Sequence, residues 1–244
     1  MKQTSIKKNF IMNALLTMSS FIFPLITFPY VSRILSPEGT GKVSFANSVI
    51  AYFALFAQLG IPTYGIRACA KVRDNKEELS RTVQEIFIIN MVMTVITYIA
   101  FGITLVYVPR LQTERPLFLI MSTTLLFNAV GLDWLYRGLE KYTYITVRSL
   151  LFKFIALLAM FALIHQKSDY VIYGGISIFA SSASNICNLV NVHQYIQIRP
   201  VGKYQFWRHL KPVMIFFAMS CATTIYTNLD TVMLGFIKTD IDVG

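Results

Sequence analysis

Residues 86–109 read IFIINMVMTVITYIAFGITLVYVP, an uncharged stretch of 24 residues. At ~1.5 Å per residue, a helix of this length is longer than the ~30 Å hydrocarbon core of a bilayer. Six further apolar stretches lie at residues 9–32, 43–66, 116–135, 149–165, 170–192 and 213–236, and short connections separate them. The sequence therefore predicts an all-α fold, a polytopic transmembrane helical bundle with about seven spans.

The distribution of basic residues predicts the orientation of this bundle. Of the 22 Lys and Arg residues, fifteen lie before the first stretch or near the connections after the second, fourth and sixth, and six lie on the other side. This bias predicts a multi-pass protein of the plasma (cytoplasmic) membrane with its N-terminus in the cytoplasm. Because the charges flank the spans, the net charge of +10 does not indicate binding to nucleic acid.

Polar side chains recur at helical spacing inside three of the stretches. They include Asn13, Thr17, Ser20 and Thr27 in the first, Asn185, Asn188 and Asn191 in the sixth, and Ser220, Thr223, Thr227 and Thr231 in the seventh. Polar groups that face lipid are costly, so these faces should contact protein or water. Hydrogen bonding between helices explains any single hydroxyl, whereas three such faces together favour a hydrated cavity.

Three ionisable residues lie within or at the edge of a stretch: Asp133, Lys153 and Asp230. Such residues are candidates for a transport pathway. The alternatives are an interfacial position for Asp133 and a lysine that extends its ammonium group towards the cytoplasmic surface for Lys153. Asp230 follows Thr227 and Asn228, which supports a role in a cavity.

Three prolines are candidates for helix bends. Pro24 and Pro29 lie in the first stretch and Pro62 near the end of the second, and each removes a backbone hydrogen bond. Bends of this kind serve as packing devices or as hinges in transporters. The three cysteines and three histidines show no spacing of a disulfide framework or a metal site.

Four strings carry a resemblance to a known family. They are FPYVSRILSPEG at residues 28–39, LGIPTYGIR at 59–67, DWLYRGLEKY at 133–142 and YTNLDTVMLG at 226–235. Together they resemble the Wzx-type flippases for O-antigen and capsule repeat units, within the polysaccharide transport branch of the MOP (multidrug/oligosaccharidyl-lipid/polysaccharide) exporter superfamily. The resemblance covers essentially the whole chain.

The resemblance implies two bundles of about six helices that flank a central cavity. Residues 1–212 are then the N-terminal six-helix bundle, and residues 213–244 are the first helix of a second bundle. We expect the sequence to be the amino-terminal part of a longer protein and not to transport by itself.

The implied cargo is an undecaprenyl-diphosphate-linked oligosaccharide, moved from the inner to the outer leaflet by alternating access during surface polysaccharide synthesis. A polysaccharide polymerase and other assembly proteins are the implied partners. Arg67 and Arg137 are predicted to capture the diphosphate on the cytoplasmic side, and Arg33 to act near its release, because guanidinium groups bind phosphate through paired hydrogen bonds. The alternative for each arginine is a charge that only sets topology.

Competing functions stay open. They are a lipid II or small-molecule (drug) exporter of the same superfamily, and a membrane enzyme of polysaccharide assembly. The sequence indicates no catalytic residue, no metal site and no cofactor. Coupling to a proton or a sodium ion, through Asp133 or Asp230, is a further hypothesis.

Overall fold

The computed structural model describes residues 6–244, of which 87% are helical, with no strand among these described residues. The α-helices are α1 Ile6–Gln58, α2 Ile61–Val72, α3 Lys76–Tyr107, α4 Pro109–Thr113, α5 Arg115–Val130, α6 Asp133–Gly138, α7 Tyr142–Leu163, α8 Tyr170–Ile178, α9 Asn185–Asn191, α10 Trp207–Ile237 and α11 Asp240–Val243. Two short 3₁₀ turns and a π-helical segment, Phe179–Ala183, complete the helical structure. The prediction of an all-α polytopic bundle is confirmed.

The helix breaks do not all lie where hydropathy placed them. Ser36, with φ 62° and ψ 169°, divides α1 into two helical segments, so residues 33–42, predicted as a connection, are helical on both sides of it. The stretch 43–66 is interrupted at Leu59 and Gly60, and the stretch 116–135 at Leu132, all with positive φ. These two stretches were predicted as continuous helices, and that prediction is wrong.

Gly60 is a position that only glycine suits. Its φ of 71° lies in the left-handed region, and a Cβ atom there would come within 2.5 Å of the backbone nitrogen of Phe217 on α10. The glycine therefore allows both the turn between α1 and α2 and the close approach of α10.

The helices bury three apolar clusters and expose an extensive apolar surface. One cluster lies around Ile61, Leu135 and Tyr136, a second around Phe45 and Phe118, and a third packs the first segment of α1 against α7 and α8. Four helical stretches of the described residues are long and apolar enough to cross a membrane: Ile6–Val72, Lys76–Tyr107, Tyr142–Leu163 and Trp207–Ile237. An apolar surface of this kind is expected where lipid replaces water.

A buried polar network joins α10 to α2 and α3 at one end of the bundle, which we call the α6 end. The Glu85 carboxylate, with no exposed surface, accepts hydrogen bonds from the Gln205 backbone N–H at 2.6 Å and from Arg208 at 2.6 and 2.9 Å. His209 Nε2 lies 2.7 Å from Glu85 Oε2, and its Nδ1 shares a 2.6 Å hydrogen bond with the Tyr64 hydroxyl. This network fixes the start of α10.

A second polar cluster lies at the opposite end of the bundle, which we call the α4 end. Arg110 donates to the Gly235 carbonyl at 2.9 Å and pairs with Asp240, and Lys42 lies 3.0 Å from Glu114. Helix α10 is thus held by polar contacts near both its ends. Between these contacts most of α10 is exposed. In its most apolar 18-residue segment, only 6% of the residues are buried in the part of the chain that the structure describes.

The turn between α7 and α8 is held by Asp169. Its carboxylate accepts 2.9 Å hydrogen bonds from the backbone N–H groups of His165 and Gln166. These bonds favour the ionised form, so they hold the pKa of Asp169 below its usual range.

Candidate functional site

The bundle contains an open cavity of about 770 Å³ whose wall mixes apolar side chains with many polar ones, and we call it the polar cavity. Both segments of α1 line it, together with α2, α5, α6, α7 and the segment from α8 to α9. Its polar lining residues are Ser20, Thr27, Thr40, Ser44, Asn47, Gln58, Thr63, Asn128, Asp133, Arg137, Arg148, Ser149, Lys153, Tyr173, Ser177, Ser181, Ser184 and Asn185. Side chains from distant parts of the sequence therefore converge on one space of ligand-binding size.

The short helix α6 places two charged residues in this cavity. It begins directly after Leu132, whose φ is 45°, so Asp133 lies in its first turn and Arg137 one turn later. The Asp133 carboxylate and Arg137 Nε are 2.5 Å apart. Residues four apart on a helix face the same side, which explains this pairing.

Helix α6 is itself fixed against α9. The Tyr136 hydroxyl donates a 2.7 Å hydrogen bond to the Asn188 carbonyl, and the Asn188 amide donates a 2.6 Å bond to the Gly131 carbonyl. A Cβ atom at Gly131 would lie 2.6 Å from the Asn185 side chain. The position of the Asp133–Arg137 pair is thus set by contacts with α9 on both sides of Leu132, from Gly131 before it and from Tyr136 after it.

Arg148 is the most deeply buried cation of the cavity, with 7% of its surface exposed. Its Nη2 donates to Asp133 at 3.2 Å and to the Asn185 side-chain oxygen at 3.4 Å. Its Nε and Nη1 are buried and lack a hydrogen-bond partner among the described residues. Leaving guanidinium donors unpaired is costly, so Nε and Nη1 are the donors of this cavity that water or a ligand would satisfy.

Lys153 lies five residues further along α7. Its ammonium group donates to the Ser19 and Ser20 hydroxyls at 2.9 and 3.0 Å, and no carboxylate of the described residues lies within salt-bridge distance of it. The lining residues thus carry three cations, Arg137, Arg148 and Lys153, and one carboxylate, Asp133. With a low-dielectric wall around it, such a cavity favours an anion.

The π-helical segment Phe179–Ala183 supplies part of the wall. Its Ala180 and Ser181 line the cavity, and Ser182 shares a 2.9 Å hydrogen bond with Thr124 of α5. Single π turns inside α-helices are frequent at functional sites.

Several of the residues predicted from sequence lie in this cavity. Asp133, Arg137 and Lys153 line it, as do Pro24 and Pro62. Pro24 lies inside α1, and Pro62 occupies the first turn of α2 just after the break at Gly60. The assignment of Asp133, Arg137 and Lys153 to cargo binding stays a prediction.

Other predicted residues lie elsewhere. Arg33 is exposed, Pro29 lies inside α1 without lining the cavity, and the Arg67 guanidinium stacks over the Phe216 ring at 4.9 Å. Thr227, Asn228 and Asp230 lie on α10, away from the cavity, where the Asn228 amide donates to the Thr224 carbonyl at 3.1 Å. The structure therefore brings together only part of the predicted set.

Arg148 and Asn128 were not predicted as site residues, although both line the cavity; Asn185 also lines it and was predicted only as part of a polar face. Arg148 was counted with the charges of a connection because the fifth apolar stretch was placed from residue 149. The structure begins α7 at Tyr142, two turns earlier. Ile145, Ser149 and Lys153 follow one another at intervals of four residues, and Arg148 lies next to Ser149 on the same side of α7. This helical spacing is the signal in the sequence that marks the face of α7 towards the cavity.

Within residues 6–244, no group of three or more His, Cys, Asp or Glu side chains is placed to hold a metal ion. The cysteines Cys69, Cys187 and Cys221 are free thiols.

Comparison with known proteins gives two similar proteins and a family. A "Putative O-antigen transporter" of Escherichia coli (strain K12) is 27% identical over 242 residues, which are 98% of this chain and 58% of that protein. A protein of the same name from Shigella dysenteriae is 26% identical over 241 residues, 98% of this chain and 60% of that protein. The chain thus spans under two thirds of the length of these relatives, and no solved structure matches it.

The family model described as "Polysaccharide biosynthesis protein" matches residues 6–244. This match covers nearly all of the sequence, including the four strings on which the resemblance rests. The chain therefore belongs to the polysaccharide biosynthesis protein family, and the predicted resemblance to Wzx-type polysaccharide flippases of the MOP superfamily is confirmed.

Proposed function

We propose that this protein is a flippase that moves undecaprenyl-diphosphate-linked oligosaccharide repeat units from the inner to the outer leaflet by alternating access. The observation that carries the proposal is the polar cavity with its three cations, above all the buried Arg148 with two unpaired nitrogen atoms. A diphosphate that bears sugars cannot cross the hydrocarbon core unaided, so it needs a polar and cationic passage.

The chemistry of the cavity matches the two parts of such a headgroup. Guanidinium groups at Arg137 and Arg148 provide the forked donors that bind phosphate oxygens, and Lys153 provides a point charge. The hydroxyl and amide groups of the remaining wall offer hydrogen bonds to sugars. The names of the relatives, which describe transporters, support a role in transport rather than catalysis.

Asp133 has a defined place in this proposal. It is the carboxylate among the described lining residues, and it pairs with both Arg137 and Arg148. An incoming diphosphate competes with it for both guanidinium groups. If transport is coupled to a proton or a sodium ion, Asp133 is the group that we assign to that coupling.

The experiment is complementation in a bacterial strain that lacks its own repeat-unit flippase. The protein is expressed from its complete gene, and surface polysaccharide is measured together with efflux of a fluorescent cationic dye. We expect restored polysaccharide without dye efflux, and loss of the polysaccharide in Arg148→Gln. The exposed Arg115, on α5 at the α4 end, gives the matched control Arg115→Gln, which should complement fully. Dye efflux without polysaccharide would instead assign the protein to the drug exporters.

A further inference from the structure

A second cavity, of about 690 Å³, lies beside the polar cavity, along the first half of α7 and the connection before it, with Cys187 of α9 on its other side. Its walls include Lys141, Tyr144, Val147, Leu151, Phe152 and Cys187. The Tyr144 hydroxyl donates a 3.0 Å hydrogen bond to the Cys187 carbonyl and so joins the two walls. We call this space the α7–α9 groove.

The groove is open to the surroundings of the bundle and changes character along its length. Val147 and Leu151 are 59% and 55% exposed, on the apolar surface that faces lipid in a membrane. Lys141 lies at the α6 end, where its ammonium group is 5.4 Å from the centre of the Tyr195 ring. The groove is therefore cationic at the end of the bundle and apolar towards the middle of the membrane.

Arg148 lines both the polar cavity and the α7–α9 groove. It lies six residues into α7, or ~9 Å along the helix axis from Tyr142. Arg148 therefore lies at the boundary between a polar space and an apolar one, and its Nε and Nη1 are buried there without a partner among the described residues. A ligand that satisfies them best has an anionic head and an apolar chain that leave this boundary in opposite directions.

We infer that the α7–α9 groove binds the first isoprenoid units of a polyprenyl diphosphate lipid, with the diphosphate at Arg148 and the chain along Val147, Leu151 and Phe152. This inference rests on the proposed function and adds the route of the tail. The charge of the groove complements an anionic lipid, because Lys141 and Arg148 face it while its carboxylate, Glu140, is paired with Arg73 at 2.7 Å.

This arrangement lets the headgroup enter the polar cavity while the tail stays in an apolar environment. Moving the chain into the cavity would place it against a mixed wall, in which hydroxyl, amide and charged groups lie among apolar side chains such as Phe23 and Val43, so less of its apolar surface would meet an apolar one. Arg148 then holds the lipid at the point where head and tail separate.

The native cysteines provide a direct test. Cys187 lines the groove, and Cys221 lies on α10, outside both cavities; both are partly exposed. The purified protein, in detergent, is treated with N-ethylmaleimide with and without geranylgeranyl diphosphate, and labelling of each cysteine is followed by mass spectrometry. At a probe concentration of about ten times its Kd, about 90% of the sites are filled, so labelling of Cys187 should slow about tenfold. Labelling of Cys221 should not change.

Two other probes identify the ligand class. Inorganic diphosphate and phosphatidylglycerol should leave Cys187 labelling unchanged. Equal protection by phosphatidylglycerol would overturn the inference, since the groove would then hold ordinary membrane lipid. Equal protection by inorganic diphosphate would also overturn it, because the tail would then play no part.

Matched tryptophan variants test the route independently of the cysteine. Leu151→Trp fills the groove, whereas Leu158, two turns further on α7 and equally exposed at 55%, lies outside it. Leu151→Trp should weaken binding of geranylgeranyl diphosphate about tenfold by native mass spectrometry, and Leu158→Trp should not. Suppose that geranylgeranyl diphosphate binds, but Cys187 is not protected and the two variants have equal Kd values. This result would refute the groove as the binding site of the chain and would leave the proposed function standing. If geranylgeranyl diphosphate does not bind at all, both fail.

Discussion

Removing the carboxylate of Glu85 is expected to destabilise the start of α10 strongly. Glu85→Ala takes away the acceptor that Arg208, the Gln205 backbone and His209 share, in a position with no exposed surface. Breaking a buried ion pair by removing one partner costs about 3–5 kcal/mol. Here the groups left without Glu85 are the Gln205 N–H, His209 and Arg208, whose side chain is 30% exposed. For a domain of this size, about 2–4 °C of Tm is lost per kcal/mol. The expected decrease in Tm is therefore about 6–20 °C.

The assay is thermal unfolding in detergent with a thiol-reactive fluorescent dye. Cys69 is fully buried, so its reaction reports the opening of the cluster around Ile61 and Leu135. Cys187 and Cys221 are partly exposed and set the starting signal, so they are replaced by serine in all the proteins compared.

Two controls decide the interpretation of Glu85→Ala. Glu77, an exposed carboxylate in the first turn of the same helix, gives Glu77→Ala, which should change stability by about 1 kcal/mol or less. The double variant with Arg208→Ala should lose less than the sum of the single variants, by about 0.5–3 kcal/mol. An unfolding temperature for Glu85→Ala as high as that for Glu77→Ala would refute the reasoning, and so would strict additivity.

Two further predictions concern the turn glycine and the turn between α7 and α8. Gly60→Ala should lower the free energy of unfolding by about 1–3 kcal/mol, because φ at Gly60 is positive and α10 lies against this residue. The control Gly102→Ala, in α3 with open space around it, should keep or raise that free energy. Equal unfolding temperatures for the two variants would contradict this prediction. Asp169 has a lowered pKa when folded, so its stabilisation is present above the unfolded pKa of ~3.9 and is lost as pH falls through the lower folded value. Hydrogen exchange of the two backbone amides that it binds should therefore accelerate in Asp169→Asn at pH 7; unchanged exchange would contradict the role of the carboxylate.

The sequence predicted the helical stretches well because long apolar segments have one stable form in a membrane, in which the backbone satisfies its own hydrogen bonds. The breaks were harder. Ser36 lies in the predicted connection 33–42 and precedes Pro37, and Gly60 carries a recognisable turn signal, but Leu132 adopts positive φ without a composition that announces it. Tertiary packing holds those conformations, and packing is not visible in a single sequence.

The candidate site was only partly predictable for a similar reason. Asp133 and Lys153 are conspicuous because they interrupt or border apolar stretches. Arg148 was missed because the start of α7 was set by hydropathy, which cannot distinguish a buried arginine two turns into a helix from one in a connection. Asp230 has the same conspicuous setting as Asp133, yet it lies on the exposed surface of α10. Its predicted role in a cavity, like the division at residues 212 and 213, stays a prediction.

The most direct test of the central claim is the Kd of undecaprenyl diphosphate for the purified protein, compared between Arg148→Gln and Arg115→Gln. Loss of hydrogen bonds to a charged group removes about 1.5–3 kcal/mol, which corresponds to a Kd about 10- to 150-fold higher. Thermal unfolding through Cys69 confirms beforehand that both variants are folded. We expect this weakening for Arg148→Gln alone; an unchanged Kd in folded Arg148→Gln would contradict the claim that the cavity binds the diphosphate.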